Sequence, residues 1–434
     1  MNVFPRVFGR DLPVAARGRG ATIWDADGNR YLDAAGGAIV VGIGHGDGDV
    51  VRAMADQASR IAYAHGTQFT SEALESYAAD LAPLLPMDGP RIYPVSGGSE
   101  AIETALKLAR AYHLARGQGD RQVVMARWGS YHGNTRGALD ASGREPLRAP
   151  YLPWLGQSVH VPAAYEYRCP SPGHPVGCGA WHADRLEEAI DREGPERVAC
   201  FVAEPIAGAT LGAAVPPDDY WAAITDVCRR HGVLMIADEV MTGFGRTGTW
   251  FGCDHWALRP DILVAGKGVS SGYWPLGLTV CTDELFRTVS AAGFVHGFTY
   301  SHHPVGAAVA HQVLRTLRAG GLVEASRDKG ERLRKLLREA LADDPHVGDV
   351  RGRGLMVGIE LVDDVESKRP FPREAKATER AVAAAREAGL LLYSSTGCAD
   401  GTNGDLIMFG PPFVITHDEL TEAVEKTAAA VASL

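Results

Sequence analysis

Three residues in the middle of the chain stand where α/β proteins do chemistry. The apolar run Val198–Ala203 ends at Glu204-Pro205, residues 233–237 end at Asp238-Glu239, and Ile262–Ala265 ends at Gly266-Lys267-Gly268. Glu204 and Asp238 are 34 residues apart, and Asp238 and Lys267 are 29 apart. Each interval suits one strand-to-strand excursion of an α/β unit. Successive parallel strands would then deliver all three to one carboxyl edge, where such sheets bind ligands. A lysine with a lowered pKa forms Schiff bases with carbonyl compounds and later moves protons. The flanking glycines leave room for a bulky adduct. A buried acid such as Asp238 suits a pyridinium nitrogen, keeping it protonated so that the ring acts as an electron sink. Val240, two residues on, can press an apolar face against that ring. A phosphate anchor is available in Ser96-Gly97-Gly98-Ser99, between the predicted strand Arg91–Val95 and a helix, where backbone N–H groups and the helix dipole favour an anion. Together these features describe a site for pyridoxal 5′-phosphate.

The surrounding pattern predicts the elements that must hold these groups. Ala101, Ile102, Ala105, Leu106, Ala109 and Tyr112 recur at helical spacing after the glycine turn. Residues 122–126 form a further strand candidate, short and apolar as in a sheet covered on both faces. A helix is predicted over 218–231 with Gly232 as its stop, and others over about 327–341 and 375–388. A strand pair is expected around 354–361. Thr416 and Glu419 stand in capping-box spacing, which puts His417 in the first turn of the last helix. The expected organisation is a large domain over 58–320 and a C-terminal small domain over 321–434, joined by residues 1–57.

Composition excludes several classes. The 434 residues are 46% hydrophobic and 22% charged, ordinary for a globular chain. A formal net charge of −10 argues against a broad nucleic-acid-binding surface. The longest uncharged stretch, residues 288–314, carries His296, His302, His303, His311 and Pro304 and reads poorly as a membrane span. The opening residues show no apolar signal region, and seven scattered cysteines are no disulfide framework, so a cytoplasmic enzyme is expected.

These residues carry a resemblance. The chain resembles the class III pyridoxal-phosphate aminotransferases of fold type I over nearly its whole length. The resemblance runs through Trp24-Asp25-Ala26-Asp27-Gly28, Tyr31-Leu32-Asp33, residues 96–107, Tyr131-His132-Gly133 and Glu204-Pro205. It continues through Asp238-Glu239-Val240, Thr242-Gly243-Phe244-Gly245-Arg246-Thr247-Gly248, Gly266-Lys267-Gly268, His296-Gly297-Phe298-Thr299-Tyr300 and Gly410-Pro411-Pro412. It implies an α/β fold: a large domain with a mainly parallel, seven-stranded-type sheet, and a smaller α/β domain from both chain ends. It implies Lys267 as the cofactor's covalent attachment point and proton carrier, with Asp238 on the pyridine nitrogen. Tyr131 and Val240 would lie on the two ring faces, and Gly98 and Ser99, with Ser96 and Gly97 in the same turn, would hold the phosphate. His132 and Glu204 belong to the same cofactor-binding set. Thr299 would serve the neighbouring subunit's site, which makes a homodimer part of the expectation.

Two positions depart from the family pattern. Where many relatives carry a carboxylate-binding arginine just before the Pro-Pro pair, this chain has Met408; where amine-accepting relatives have one after it, this chain has His417. Tyr393, Arg136, His132 or a residue of a partner chain are open as substitutes for the missing carboxylate clamps, and Glu204 loses its usual arginine partner too. The expected substrates are a primary amine, diamine or ω-amino acid as donor and a small keto acid such as pyruvate as acceptor. The same Lys267/Asp238 core would also serve an amino-acid epimerase or aminomutase, and the glycine turns admit a nicotinamide-dependent oxidoreductase as a distant alternative.

Other motifs are read as structural. Cys169, His174, Cys178 and His182 are zinc-type ligands at spacings unlike the commoner fingers, and no metal is expected. The glycine-rich stretch 42–48 lacks the preceding strand and later acid of a dinucleotide turn. The Arg-Gly pairs at 17–20 and 351–354 read as turns.

Overall fold

The computed structural model describes residues 2–9, 11–156, 158–169 and 178–434. Among the described residues the strands run β1 (Ala15–Arg19), β2 (Thr22–Asp25), β3 (Arg30–Asp33), β4 (Arg91–Val95), β5 (Val123–Arg127), β6 (Ser158–Val161), β7 (Val198–Ala203) and β8 (Leu234–Asp238). They continue as β9 (Ile262–Ala265), β10 (Gly277–Cys281), β11 (Val347–Arg353), β12 (Met356–Leu361), β13 (Leu390–Leu391), β14 (Tyr393–Thr396) and β15 (Asp405–Phe409). A seven-stranded sheet takes the order β4-β10-β9-β8-β7-β5-β6. Its pairings are parallel except those of β10, which runs antiparallel to both β4 and β9. The expected mainly parallel sheet is present, with one reversed strand.

The apolar runs of β7, β8 and β9 have no exposed face, because helices cover both sides. Phe201, Ala203, Met235, Ala237, Leu263 and Ala265 enter one core, together with Trp221, Ile224 and Val227 of the helix Tyr220–His231. The alternate residues Cys200, Val202, Leu234, Ile236, Ile262 and Val264 enter the other, together with Ala101, Ile102, Ala105 and Ala109 of the helix Gly98–Ala115. The period of two along a strand thus assigns each side chain to a face.

Both chain ends contribute to one small sheet: the meander β1-β2-β3 is extended by β13, parallel to β3. Strands β11, β12, β15 and β14 form a second, antiparallel sheet. Arg246 is buried between the large sheet's loops and these ends. Its guanidinium donates to the carbonyls of Leu355 (3.0 Å), Pro411 (2.7 Å) and Val41 (3.2 Å), and burial depresses its pKa to about 9.

Boundaries differ from the sequence reading by small physical margins. Strands β5 and β8 end one residue later than expected, so Arg127 and Asp238 are themselves the terminal strand residues. The strand pair expected near 354–361 is a hairpin that begins at Val347 and turns at Gly354, whose φ of +53° is left-handed. The helix expected from 327 starts at Leu322, immediately after Gly321, because Leu322 and Val323 pack into the core. The Thr416–Glu419 capping box forms as expected: the Glu419 carboxylate accepts the Thr416 N–H at 2.8 Å, and the Thr416 hydroxyl accepts the Glu419 N–H at 3.2 Å. Among the described residues, no helix is long and apolar enough to cross a membrane.

Candidate active site

The carboxyl ends of β5, β7, β8 and β9 converge. Asp238, the last residue of β8, is buried. One carboxylate oxygen accepts the Val240 N–H at 3.0 Å, which tightens the turn after the strand, and the other lies 2.7 Å from Nδ1 of His132. Burial disfavours the imidazolium of His132, but Glu204 and the Asp238 hydrogen bond outweigh it and raise its pKa. Neighbouring Glu239 points elsewhere: its carboxylate accepts the N–H groups of Gly252 (2.8 Å) and Cys253 (2.7 Å), pinning the loop after the strand. The adjacent acids therefore divide, one to the site and one to its scaffold.

Glu204 follows β7 and is also buried. It pairs with Arg127 at the end of β5, Nη2 to Oε2 at 3.0 Å, and accepts the Tyr131 N–H at 3.0 Å. Arg127 donates as well to the Glu204 carbonyl at 2.6 Å. Burial raises the carboxyl's pKa, but His132, Arg127 and the Tyr131 N–H together pull it below its ordinary value. The arginine that Glu204 lacks in the C-terminal motif is thus replaced by Arg127. Sequence reading missed Arg127, although a lone charge ending an apolar strand was its visible sign. Glu204 supports the loop that carries Tyr131 and His132.

Lys267 opens the short helical turn after β9 with a φ of +41°, a left-handed conformation uncommon for a side-chain-bearing residue and concentrated at functional sites. Burial, opposed by the nearby Asp238 and reinforced by Arg246, lowers its ammonium pKa to about 8. Gly266, just before it, lies against Val240 and Gly98: a methyl placed there would be 3.4 Å from Val240 Cγ1 and 3.5 Å from the Gly98 Cα. A methyl on Gly98 would itself come within 3.0 Å of Val240, and one on Gly277 within 2.4 Å of the Gly97 carbonyl. The glycine turn, Val240 and Gly266, the residue before the lysine, therefore lie against one another.

At this turn the Ser96 N–H donates to the Glu100 carboxylate at 2.8 Å. The first-turn N–H groups of the following helix have no intrahelical acceptor. The Ser99 hydroxyl accepts the Asn134 N–H at 3.1 Å, and Gly133, φ +141°, leaves no space for a side chain there. Tyr131 is 40% exposed. Thr299 is not brought into it: the residue is exposed, and its carbonyl accepts the Tyr63 hydroxyl at 2.8 Å.

Met408 is fully buried on β15 in an apolar cluster with Ile39, Ile206 and Met356, beside Tyr393. His417 is exposed at the start of the last helix. Of the cysteine–histidine motif, His174 lies outside the described residues. Among the described ones, no group of three potential metal ligands occurs. In the stretch 42–48, His45 meets Asp33 at 2.8 Å and Asp47 caps the helix Gly48–Arg60, which accounts for the bend.

Comparison with known proteins agrees with this geometry. The model of the family described as aminotransferase class-III matches residues 9–431. The chain is 39% identical to an uncharacterized aminotransferase of Bacillus subtilis, YodT, covering 97% of this chain and 95% of the relative. It is 35% identical to the putrescine–pyruvate aminotransferase of Pseudomonas aeruginosa, over 96% and 91% of the two chains. An amine transaminase crystal structure from an uncultivated Pseudomonas species, in its PLP-bound form, superposes with a TM-score of 0.93 at 34% identity, covering 100% and 99% of the chains. The chain belongs to the class III aminotransferase family, enzymes of fold type I that use pyridoxal 5′-phosphate.

Proposed function

We propose that this aminotransferase carries pyridoxal 5′-phosphate at the strand-end cluster and moves an amino group from a primary amine or ω-amino acid to a small keto acid such as pyruvate, in ping-pong half-reactions. The observation that carries the reading is the convergence of Lys267, the Asp238–His132 pair and the Gly97–Gly98 turn against Val240 at one sheet edge. Those residues fit the cofactor: a glycine cradle that a methyl would fill, an acid at the ring position and an amine of lowered basicity.

When bound, the cofactor supplies an electrophilic carbonyl and an electron-accepting ring. Lys267, depressed to about 8, holds an appreciable unprotonated fraction at neutral pH, so it serves first as nucleophile and then as the base that moves the donor's proton. Asp238 is fixed by His132 and the Val240 N–H and would hold a protonated ring nitrogen. Val240 and Tyr131 would hold the two ring faces, with the Tyr131 backbone held by Glu204 and its partner Arg127. Gly98 and Ser99, with Ser96 and Gly97 shaping the turn, take the phosphate at a helix start. Thr299 completes the phosphate site of a second copy. The exposed apolar side chains near it, Val295 (98% exposed), Tyr300 and Phe69, support burial of this edge in a cytoplasmic homodimer. The parallel pairing of β3 with β13 supports a small domain of residues 1–57 and 321–434 around a large one of 58–320.

The substrate reading rests on the apolar burial of Met408 where a carboxylate clamp would stand, and on the relative named for putrescine and pyruvate. It is tested by following the cofactor absorbance in half-reactions with alanine, glutamate, an ω-amino acid and a diamine. The ω-amino acid or diamine is expected to react fastest; a wide lead for glutamate overturns the substrate assignment. Borohydride reduction followed by peptide mapping is expected to label Lys267 alone.

A further inference from the structure

Among the described residues, most buried and half-buried arginines in the core have their charge or their N–H groups answered. Arg127 has Glu204, Arg168 and Arg351 share Glu360, and Arg246 and Arg148 each donate to three backbone carbonyls. Arg144 is different. Among the described residues no carboxylate pairs with its guanidinium, and its hydrogen bond to the Thr396 carbonyl is a long 3.5 Å. Its Nε–H is buried without an acceptor among the described residues. Burial accordingly lowers its pKa, against the pull of Tyr393 and Tyr131.

Arg144 lines a cavity of about 270 Å3 with Trp128, Tyr165, Arg168, Thr396 and Cys398. A second guanidinium group in the same wall, Nη2 of Arg168, is also buried without an acceptor. Of the three acids around this cavity, Asp400 and Glu360 are engaged by other groups. Asp400 accepts the N–H groups of Thr402 (2.9 Å) and Asn403 (2.6 Å), and Glu145 is exposed and lies against Gly401. Glu360 is divided between Arg168, Arg351 and Tyr165. Arg144 is therefore the cation of this wall that no carboxylate pairs with among the described residues.

The cavity adjoins the candidate active site. Gly143 is anchored to the turn that carries Tyr131: its N–H donates to the Ser130 hydroxyl and its carbonyl accepts the Gly129 N–H, at 3.1 and 3.0 Å. Tyr131 lies within electrostatic reach of Asp238 and of both Arg144 and Tyr393. Arg6, the other cation within its reach, is exposed. Resting on the aminotransferase reading above, we propose that Arg144, backed by Arg168, is the receptor for the carboxylate of an ω-amino acid substrate. The donor's amine then reacts at Lys267's side of Tyr131 while its far end is held in this cavity. A carboxylate there completes both orphan N–H groups with charge-assisted hydrogen bonds, which an uncharged amine leaves unmet.

The test uses the holoenzyme and unreactive probes. Binding of pentanoate and of pentanamide is followed by calorimetry and by the fluorescence of Trp128, which lines the cavity. Pentanoate is expected to bind about tenfold or more tightly than the amide, and Arg144→Gln to abolish that preference, with Arg144→Lys restoring part of it. In turnover, the kcat/KM ratio of 5-aminopentanoate to pentylamine is expected to fall about tenfold or more in Arg144→Gln. Equal binding of the two probes, or equal loss for both donors, overturns the assignment. The two readings fail separately. Arg144-dependent carboxylate binding in a protein that aminates no keto acid would sink the transaminase reading alone. Amine turnover with no Arg144 dependence would sink the subsite alone.

Discussion

The two walls of the candidate site are built differently. On the cofactor side, Asp238, Glu204, Arg127 and Lys267 stand at the ends of adjacent strands, and each acid has its partners within 3.0 Å. Around the adjoining cavity, Arg144, Tyr393 and Trp128 come from loops and an edge strand, and among the described residues guanidinium N–H groups there have no acceptor. Strand ends in a covered sheet are fixed by the packing of both faces, so what they carry is held rigidly enough for preorganised chemistry. Loops rearrange at less cost and carry the groups that select substrates. In this molecule the satisfied wall defines the reaction class, and the unsatisfied wall points to what is recognised.

That contrast is breakable. Lys267→Ala is expected to lower the amine half-reaction about a thousandfold or more and to remove borohydride-stable labelling; labelling retained in the variant would move the chemistry off the cofactor wall. Arg127→Met leaves the Glu204 carboxylate buried and unpaired, so urea unfolding should show a loss of about 3–5 kcal/mol. A loss below about 1 kcal/mol would mean that the wall tolerates reorganisation and is no more rigid than the loops. Asp238→Asn should retain the fold in circular dichroism while slowing the half-reaction about a hundredfold. The smallest effect concerns pH. With Lys267 depressed to about 8, its neutral fraction falls as pH drops below that value. Attachment of cofactor to apoenzyme, followed by stopped-flow absorbance, should rise about tenfold per pH unit up to about 8 and then level. A rise continuing toward 10.5, the ordinary lysine value, would show that burial does not depress this amine.

The cofactor wall was largely legible in the residue order. Apolar runs ending in Glu204, Asp238 and Lys267 describe buried parallel strands, because a strand covered on both faces has no polar alternation to break the run. The glycine turn at 97–98 was equally visible, and its reason is now specific: Gly98 lies against Val240, and the Gly97 carbonyl against Gly277. The reversed strand β10 was not visible, since its composition, Gly277–Cys281, is that of any buried strand and direction leaves no trace in it. Nor was the partner of Glu204. Arg127 is 77 residues away along the chain and becomes its neighbour only because β5 pairs with β7.

The motifs in their order carried the resemblance to the family; residue types and their spacing alone determined the sheet that positions the site and the acid and amine at its edge. These follow from local periodicity and from the chemistry that a lysine and a carboxylate share with a pyridine aldehyde. Tertiary structure alone decided which charges neutralise one another: Glu204 with Arg127, Glu360 between two arginines, and Arg144 with no carboxylate among the described residues. Ion pairing depends on distances of a few ångströms between segments far apart in the chain, and on burial that strips away solvent screening. Neither quantity exists until the sheet closes.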